Sequence, residues 1–212
     1  MERIAVVDYG MGNLRSVVQA VKHVAPTDEV ILTSDPNIVL AADRVVFPGQ
    51  GAMRDCMNEL EARGLGGAVS KASHEKPFLG ICIGLQMLFE HSEEADTPGL
   101  GLLPGQVVRF KGGHVDALGS PLKIPHMGWN QVEHNDHPIW TNIPNGDRFY
   151  FVHSYHVSNC PDELVIGSSE YPDRFVCAVA RQNLVAVQFH PEKSQRAGLQ
   201  LLANFVAWKG HL

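Results

Sequence analysis

Short, continuously apolar runs alternate with amphipathic segments through the first ninety residues, and few architectures accommodate that order. Arg3–Asp8 is a β-branched run closed by the turn-forming Tyr9-Gly10-Met11-Gly12. Leu14, Val17, Val18, Val21 and Val24 then recur at helical spacing, with Asn13 in position to cap. Glu29–Thr33 reads as a second strand, Asp35–Ala42 as a short helix and Arg44–Phe47 as a third strand. Pro48-Gly49-Gln50-Gly51 leads into a helix over about Ala52–Ser70. Pro77–Ile81 is a fourth strand running directly into an apolar helix, Leu85–Phe89. Strands without polar alternation are buried on both faces, so the pattern predicts a parallel sheet with helices on each side. In such sheets the functional residues gather at the carboxyl ends of the strands.

Beyond Pro98 the character changes. Gly, Pro and His accumulate up to Asn145 and divide the chain into loops and short extended pieces. Strands return at Phe149–Val152, Leu164–Ser168, Phe175–Ala180 and Leu184–Phe189, the last two spaced as a hairpin across Arg181-Gln182-Asn183. A helix over about Ser194–Trp208 closes the pattern, with Leu199, Leu202, Phe205 and Val206 on one face. With no repeat and no linker, residues 1–212 are expected to form one α/β domain built on a mixed, mostly parallel sheet. A chain of 212 residues buries enough surface to need neither disulfide nor metal.

Charge and cysteine usage narrow the function. A net charge of −6 argues against a nucleic-acid surface. No apolar window is long enough to span a membrane. The four cysteines, at 56, 82, 160 and 177, include no Cys-x-x-Cys pair. The strand-like run close to Met1 leaves no secretory leader, so a reduced, cytoplasmic protein is expected. His134/His137 and His153/His156 are H-x-x-H pairs without the helical spacing of a zincin, and no metal or cofactor is expected. Asp8–Gly12 resembles a dinucleotide turn, but Arg15 stands where its third glycine belongs, so it is read as a tight turn near a substrate cleft.

Gly80-Ile81-Cys82-Ile83-Gly84 has the layout of a nucleophile elbow with cysteine for serine. A sharp strand-to-helix turn strains the nucleophile's backbone, and side chains two residues to either side would collide. The helix beginning just past Cys82 aims free N–H groups at the sulfur and favours thiolate. Taken alone, the elbow fits an inert buried cysteine equally well. Gln188-Phe189-His190-Pro191-Glu192 shifts the balance, because it places a base at a strand end with an acid two residues on. Phe47-Pro48-Gly49-Gln50-Gly51-Ala52 adds a glycine loop able to turn N–H groups toward an oxyanion; without the Lys-Ser/Thr ending, a phosphate loop is the weaker reading.

Together, Pro-Gly-x-Gly, Gly-Ile-Cys-Ile-Gly-Leu-Gln and Gln-Phe-His-Pro-Glu resemble the class I, triad-type glutamine amidotransferases. Asp8–Leu14, Ile124–Asn130, Tyr150–Tyr155 and His190–Gln195 are similar, within that class, to the glutaminase subunits of imidazole glycerol phosphate synthases. The resemblance spans residues 8–195. It implies that Cys82 attacks the amide of L-glutamine, His190 delivers a proton to ammonia, and Glu192 orients His190. It assigns the oxyanion hole to backbone N–H groups of Gly49, Gln50 and Gly51 with that of Ile83. Gln86, Glu94, His153, Ser154 and Tyr155 become substrate contacts. Ammonia would pass to a cyclase subunit, the implied heterodimer partner, which makes imidazole glycerol phosphate and aminoimidazole carboxamide ribonucleotide.

Trp129 suits either an interface centre or a satellite core. The resemblance favours the cyclase interface, with Pro125, Met127 and Asn130 around it. Lys193 would pair with an acidic group of that partner. The family often carries a small aliphatic residue where Gln50 stands, and His156 matches a variable position. Cys56, Cys160 and Cys177 are read as packing residues.

Overall fold

The computed structural model describes residues 1–113, 115 and 121–211. The first half contains β1 (Arg3–Val7), α1 (Leu14–Val24), β2 (Glu29–Thr33), α2 (Pro36–Ala41), β3 (Arg44–Gly49), α3 (Met53–Ala62), α4 (Gly66–Glu75), β4 (Phe78–Cys82) and α5 (Ile83–Gln86). Small strands follow: β5 (His91–Ser92), β6 (Thr97–Pro98), β7 (Gln106–Arg109), β8 (His126–Gln131) and β9 (Glu133–His134). The last part holds β10 (Arg148–His153), β11 (Tyr155–Ser158), β12 (Val165–Glu170), β13 (Arg174–Arg181), β14 (Leu184–Val187) and α6 (Gln195–Ala207).

The main sheet runs β2-β1-β3-β4-β14-β13-β11-β7-β5-β6, with β12 on β13 and β9 on β12. From β2 to β14 every pairing is parallel; β13 then begins an antiparallel flank. The chain crosses from β1 to β2 in one direction along the sheet and then from β2 past β1 to β3 and on to β4 in the other, so right-handed crossovers put α1 on one face and α2 to α4 on the other. Accordingly α1 packs on α6 and α2 on α4. Val45–Phe47, Phe78, Leu79 and Leu184–Val187 are wholly buried, as their unbroken apolar runs require. A separate antiparallel ribbon pairs β8 with β10.

Several local expectations need correction. The helix expected over Ala52–Ser70 is two helices. Gly64, at φ +65°, ends α3 with its N–H on the Glu61 carbonyl, while the N–H of Leu65 reaches Leu60, a Schellman stop. The apolar helix is Ile83–Gln86, not Leu85–Phe89. Carbonyls of Met87, Leu88 and Phe89 accept from Leu100, Leu102 and Gly101, so the returning loop takes the bonds a longer helix would make. Asn13 sits at the start of α1 but makes no side-chain cap, whereas Asp35 caps α2 through the N–H of Asn37. β8 is one of the short extended pieces expected before Asn145, and it lacks a strand-like apolar run because its Gly128 and Asn130 face inward with His126.

Candidate active site

Three neighbouring strands deliver the chemistry. Gly49 ends β3 directly opposite Cys82 at the end of β4, and His190 follows β14 by three residues on the other side. Cys82 is 3% exposed, with φ 56° and ψ −112°. A non-glycine residue held there stores roughly 1–3 kcal/mol of strain. The elbow glycines are steric necessities: a Cβ on Gly84 would run into the Phe47 carbonyl, and one on Gly80 would lie 2.9 Å from the Ala186 Cβ. The Gln188 amide donates to the Cys82 sulfur at 3.9 Å.

His190 Nδ1 lies 2.9 Å from Glu192 Oε1, and both side chains are almost fully enclosed. A carboxylate only accepts, so the proton is on Nδ1. Nε2 has no hydrogen-bond partner among the described residues, and His190 lines the same cavity as Cys82. Burial, the largest single influence, pulls the imidazole down. The neighbouring Cys82 sulfur and the Glu192 carboxylate outweigh it and raise His190 to about 10. The backbone is fixed as well: the N–H of His190 donates to the Tyr150 carbonyl at 2.9 Å. Ser194 Oγ donates to the His190 carbonyl at 2.6 Å and accepts from the N–H of Tyr150.

Two side chains to which sequence reasoning assigned no part in the site hold the glycine loop. The Tyr9 hydroxyl donates to the Pro48 carbonyl at 2.9 Å, and the Cys56 thiol donates to the Gln50 carbonyl at 3.6 Å. Burial pushes Cys56 up to about 11, so it stays a thiol. Cys56 is thus more than packing; its position on α3, one turn past the loop, was the available signal. Gly49 is crowded by Tyr9, Ile83 and Gly84, while Gly51 has φ +109°. Ile83 is the first residue of α5, so its N–H has no acceptor within the helix.

The cavity beside Cys82 measures about 310 Å³ and is lined by Gln50, Gly51, Ile83, Gln86, Glu94, His153, Ser154, Tyr155 and His190, with Pro125 and Val152 at its wall. Gln86 donates to the Tyr155 carbonyl at 3.1 Å and to Gln188 Oε1 at 2.9 Å, leaving its own Oε1 buried without a partner among the described residues. Glu94 Oε2 accepts from the N–H of Met53, so it also caps α3. A larger space, about 630 Å³, lies at the α3–α4 break, lined by residues such as Met57, Leu60 and Leu100, with no cysteine or histidine among the described residues that line it.

Outside the cavity, Met127 and Trp129 are 61% and 43% exposed on β8, opposite Val152 and Tyr150 of β10. Asn130 is half-buried, its side chain bonded to the Glu170 carbonyl; Lys193 is half-buried next to Glu192. Within the H-x-x-H pairs, His137 Nδ1 accepts from the N–H of Ile139, and His156 Nδ1 pairs with the Val157 carbonyl. Among the described residues no helix is long and apolar enough to cross a membrane.

A cysteine elbow, a His–Glu pair on the adjacent strand and a glycine loop on the other side define the triad-type amidotransferase architecture. Residues 5–208 match the family described as Glutamine amidotransferase class-I. A likeness of fold extends to the structure of PurLQS from Thermotoga maritima (TM-score 0.72, 19% identity, 98% of this chain and 99% of that one). It extends also to the glutaminase domain of CTPS from Trypanosoma brucei (TM-score 0.65, 18% identity, 100% and 96%). Among sequence relatives, the imidazole glycerol phosphate synthase subunit HisH of Aromatoleum aromaticum is 61% identical over 98% of this chain and 99% of its own. That of Thiobacillus denitrificans is 60% identical over 97% and 91%. The chain belongs to the class I glutamine amidotransferases and, within them, to the family of these HisH subunits.

Proposed function

We propose that the chain is the glutaminase subunit of an imidazole glycerol phosphate synthase, releasing ammonia from L-glutamine for a cyclase partner. The observation that carries the reading is the meeting of Cys82, His190 and the Gly49–Gly51 loop at three adjacent strand ends. The Cys82 sulfur attacks the side-chain carbonyl carbon, and the N–H groups of the loop and of Ile83 receive the oxyanion. His190 transfers its proton to the departing ammonia, leaving a γ-glutamyl thioester. His190 then takes a proton from water as that water attacks; glutamate leaves and the sulfur is regenerated. Glu192 keeps the imidazole in one tautomer throughout. The unpartnered Oε1 of Gln86 and the carboxylate of Glu94 suit the α-ammonium of glutamine, with His153, Ser154 and Tyr155 completing the wall.

The exposed face of Met127 and Trp129 is the proposed cyclase interface of a heterodimer, with Pro125, Asn130 and Lys193 proposed as further interface residues although Asn130 turns inward from the same strand. The Tyr150 backbone, accepting from the N–H of His190 and donating to Ser194 Oγ, joins that ribbon to the triad. The reducing cytoplasm suits an enzyme with a reactive sulfur and three further free thiols. In the assembled complex Cys82→Ala is expected to abolish glutamate release while ammonia-dependent cyclase turnover stays within about twofold; losing both activities in a folded complex overturns the division of labour.

A further inference from the structure

The β8–β10 register sets His126 directly opposite His153, on the inward face of the ribbon. Both imidazoles are buried, and their hydrogen bonds can run in only one direction. The Tyr155 carbonyl, 2.8 Å from His153 Nδ1, can only accept, so that nitrogen carries the proton. Burial holds both rings neutral at pH 7, His153 falling to about 3 and His126 to about 4. His153 Nε2 is therefore a bare acceptor, and His126 Nδ1, 2.9 Å away, must donate to it. His126 Nε2 in turn accepts from the Asn130 amide at 3.3 Å. The Asn130 amide has no freedom to flip, since its nitrogen also donates to the Glu170 carbonyl and its oxygen accepts from the N–H of Gln131. At the other end the Tyr155 carbonyl also accepts from Gln86, which reaches Gln188 and through it the Cys82 sulfur.

We propose that His126, which touches no reacting atom, is a positioning residue of the glutamine pocket: its Nδ1–H locks His153 in the Nδ1–H tautomer, and through the shared Tyr155 carbonyl it holds Gln86 with its oxygen toward the substrate. In the opposite tautomer His153 would turn a lone pair on the Tyr155 carbonyl, displacing the acceptor that Gln86 shares. The inference rests on the glutaminase reading for the identity of the substrate, but its tautomer claim does not.

Two substitutions separate donation from packing. His126 stacks on Tyr171 and Phe151, with ring centroids 4.0 and 5.0 Å away. His126→Phe keeps an aromatic ring in the stack and removes the donor. His126→Asn removes the ring and keeps an amide N–H near the Nδ1 position. In complex with the cyclase and its nucleotide ligand, His126→Phe is expected to raise the KM for glutamine about tenfold with kcat within about twofold, and His126→Asn to stay within about threefold in KM. Imidazole ¹⁵N shifts of the unmodified chain should report His153 as the Nδ1–H tautomer, and those of His126→Phe a mixture. An Asn variant as impaired as the Phe variant, or a Phe variant with unchanged KM, overturns the proposal. A wild-type His153 found protonated or in the Nε2–H form overturns it regardless of how the variants fold. Absence of Cys82-dependent glutamate release from the wild-type complex would instead sink the glutaminase reading, leaving the ¹⁵N result to decide the tautomer claim.

Discussion

His190 holds its proton far above the usual imidazole range because the Cys82 sulfur and the Glu192 carboxylate share an enclosed space with it. The linkage has a definite sign. Unfolded histidine titrates near 6.5 and the folded residue at about 10, so this proton stabilises the fold fully below about pH 6.5 and progressively less up to about 10. Glu192→Gln removes the carboxylate charge. The alkaline limb of the glutaminase profile is expected to move to lower pH. Urea midpoints at pH 6 and 9 should differ less in the variant than in the wild type, and an equal difference would show that Glu192 does not hold the proton. The proximity of Cys82, His190 and Glu192 is what the sequence leads one to expect, because elbow and His-Pro-Glu patterns tie residue type to spacings of a few positions. Tyr9, Gln188 and His126 were not assigned roles, and Cys56 only a packing one. Tyr9 meets Pro48 across 39 positions, and Gln188 meets Cys82 across 106, separations that no local pattern records.

At the scale of elements, the strands of the first half were legible to within about two residues, since burial on both faces leaves an apolar run that nothing else in the chain imitates. Helix ends were less so. α3 and α4 share one amphipathic pattern, and only a single left-handed residue divides them. Gly64 has open space where a Cβ would project, so the cost of Gly64→Ala is confined to its backbone. Thermal or urea unfolding should show a loss of about 1 kcal/mol with glutaminase activity unchanged. No loss of stability would mean that the α3–α4 stop tolerates an ordinary residue. α5 is short for another reason: its elbow glycine lies against β3, and the loop at 100–103 claims the next carbonyls.

At the scale of the whole molecule, the β8–β10 ribbon stands between an exposed apolar face and the pocket. Alternation along β8 sends Met127 and Trp129 outward and His126 and Asn130 inward. Trp129→Ala is expected to weaken cyclase binding about thirtyfold, the equivalent of a ~2 kcal/mol hot spot, without moving the unfolding midpoint of the isolated chain. Unchanged affinity by calorimetry would exclude this face as the interface centre.

The order of strands also governs when the enzyme becomes an enzyme. β14 is the last strand in sequence, yet it lies in the middle of the sheet, between β4 and β13. During synthesis the segment carrying Cys82 leaves the ribosome more than a hundred residues before His190. Until β14 arrives, one edge of β4 is bare and the sulfur has no base beside it. Closing that gap is a long-range, slow kind of contact, so a nascent chain is exposed to aberrant edge pairing for as long as it lacks its final strand. The same insertion that completes the hydrophobic sheet therefore also brings the proposed base to the proposed nucleophile, and a chain truncated before residue 184 is unfinished in both respects.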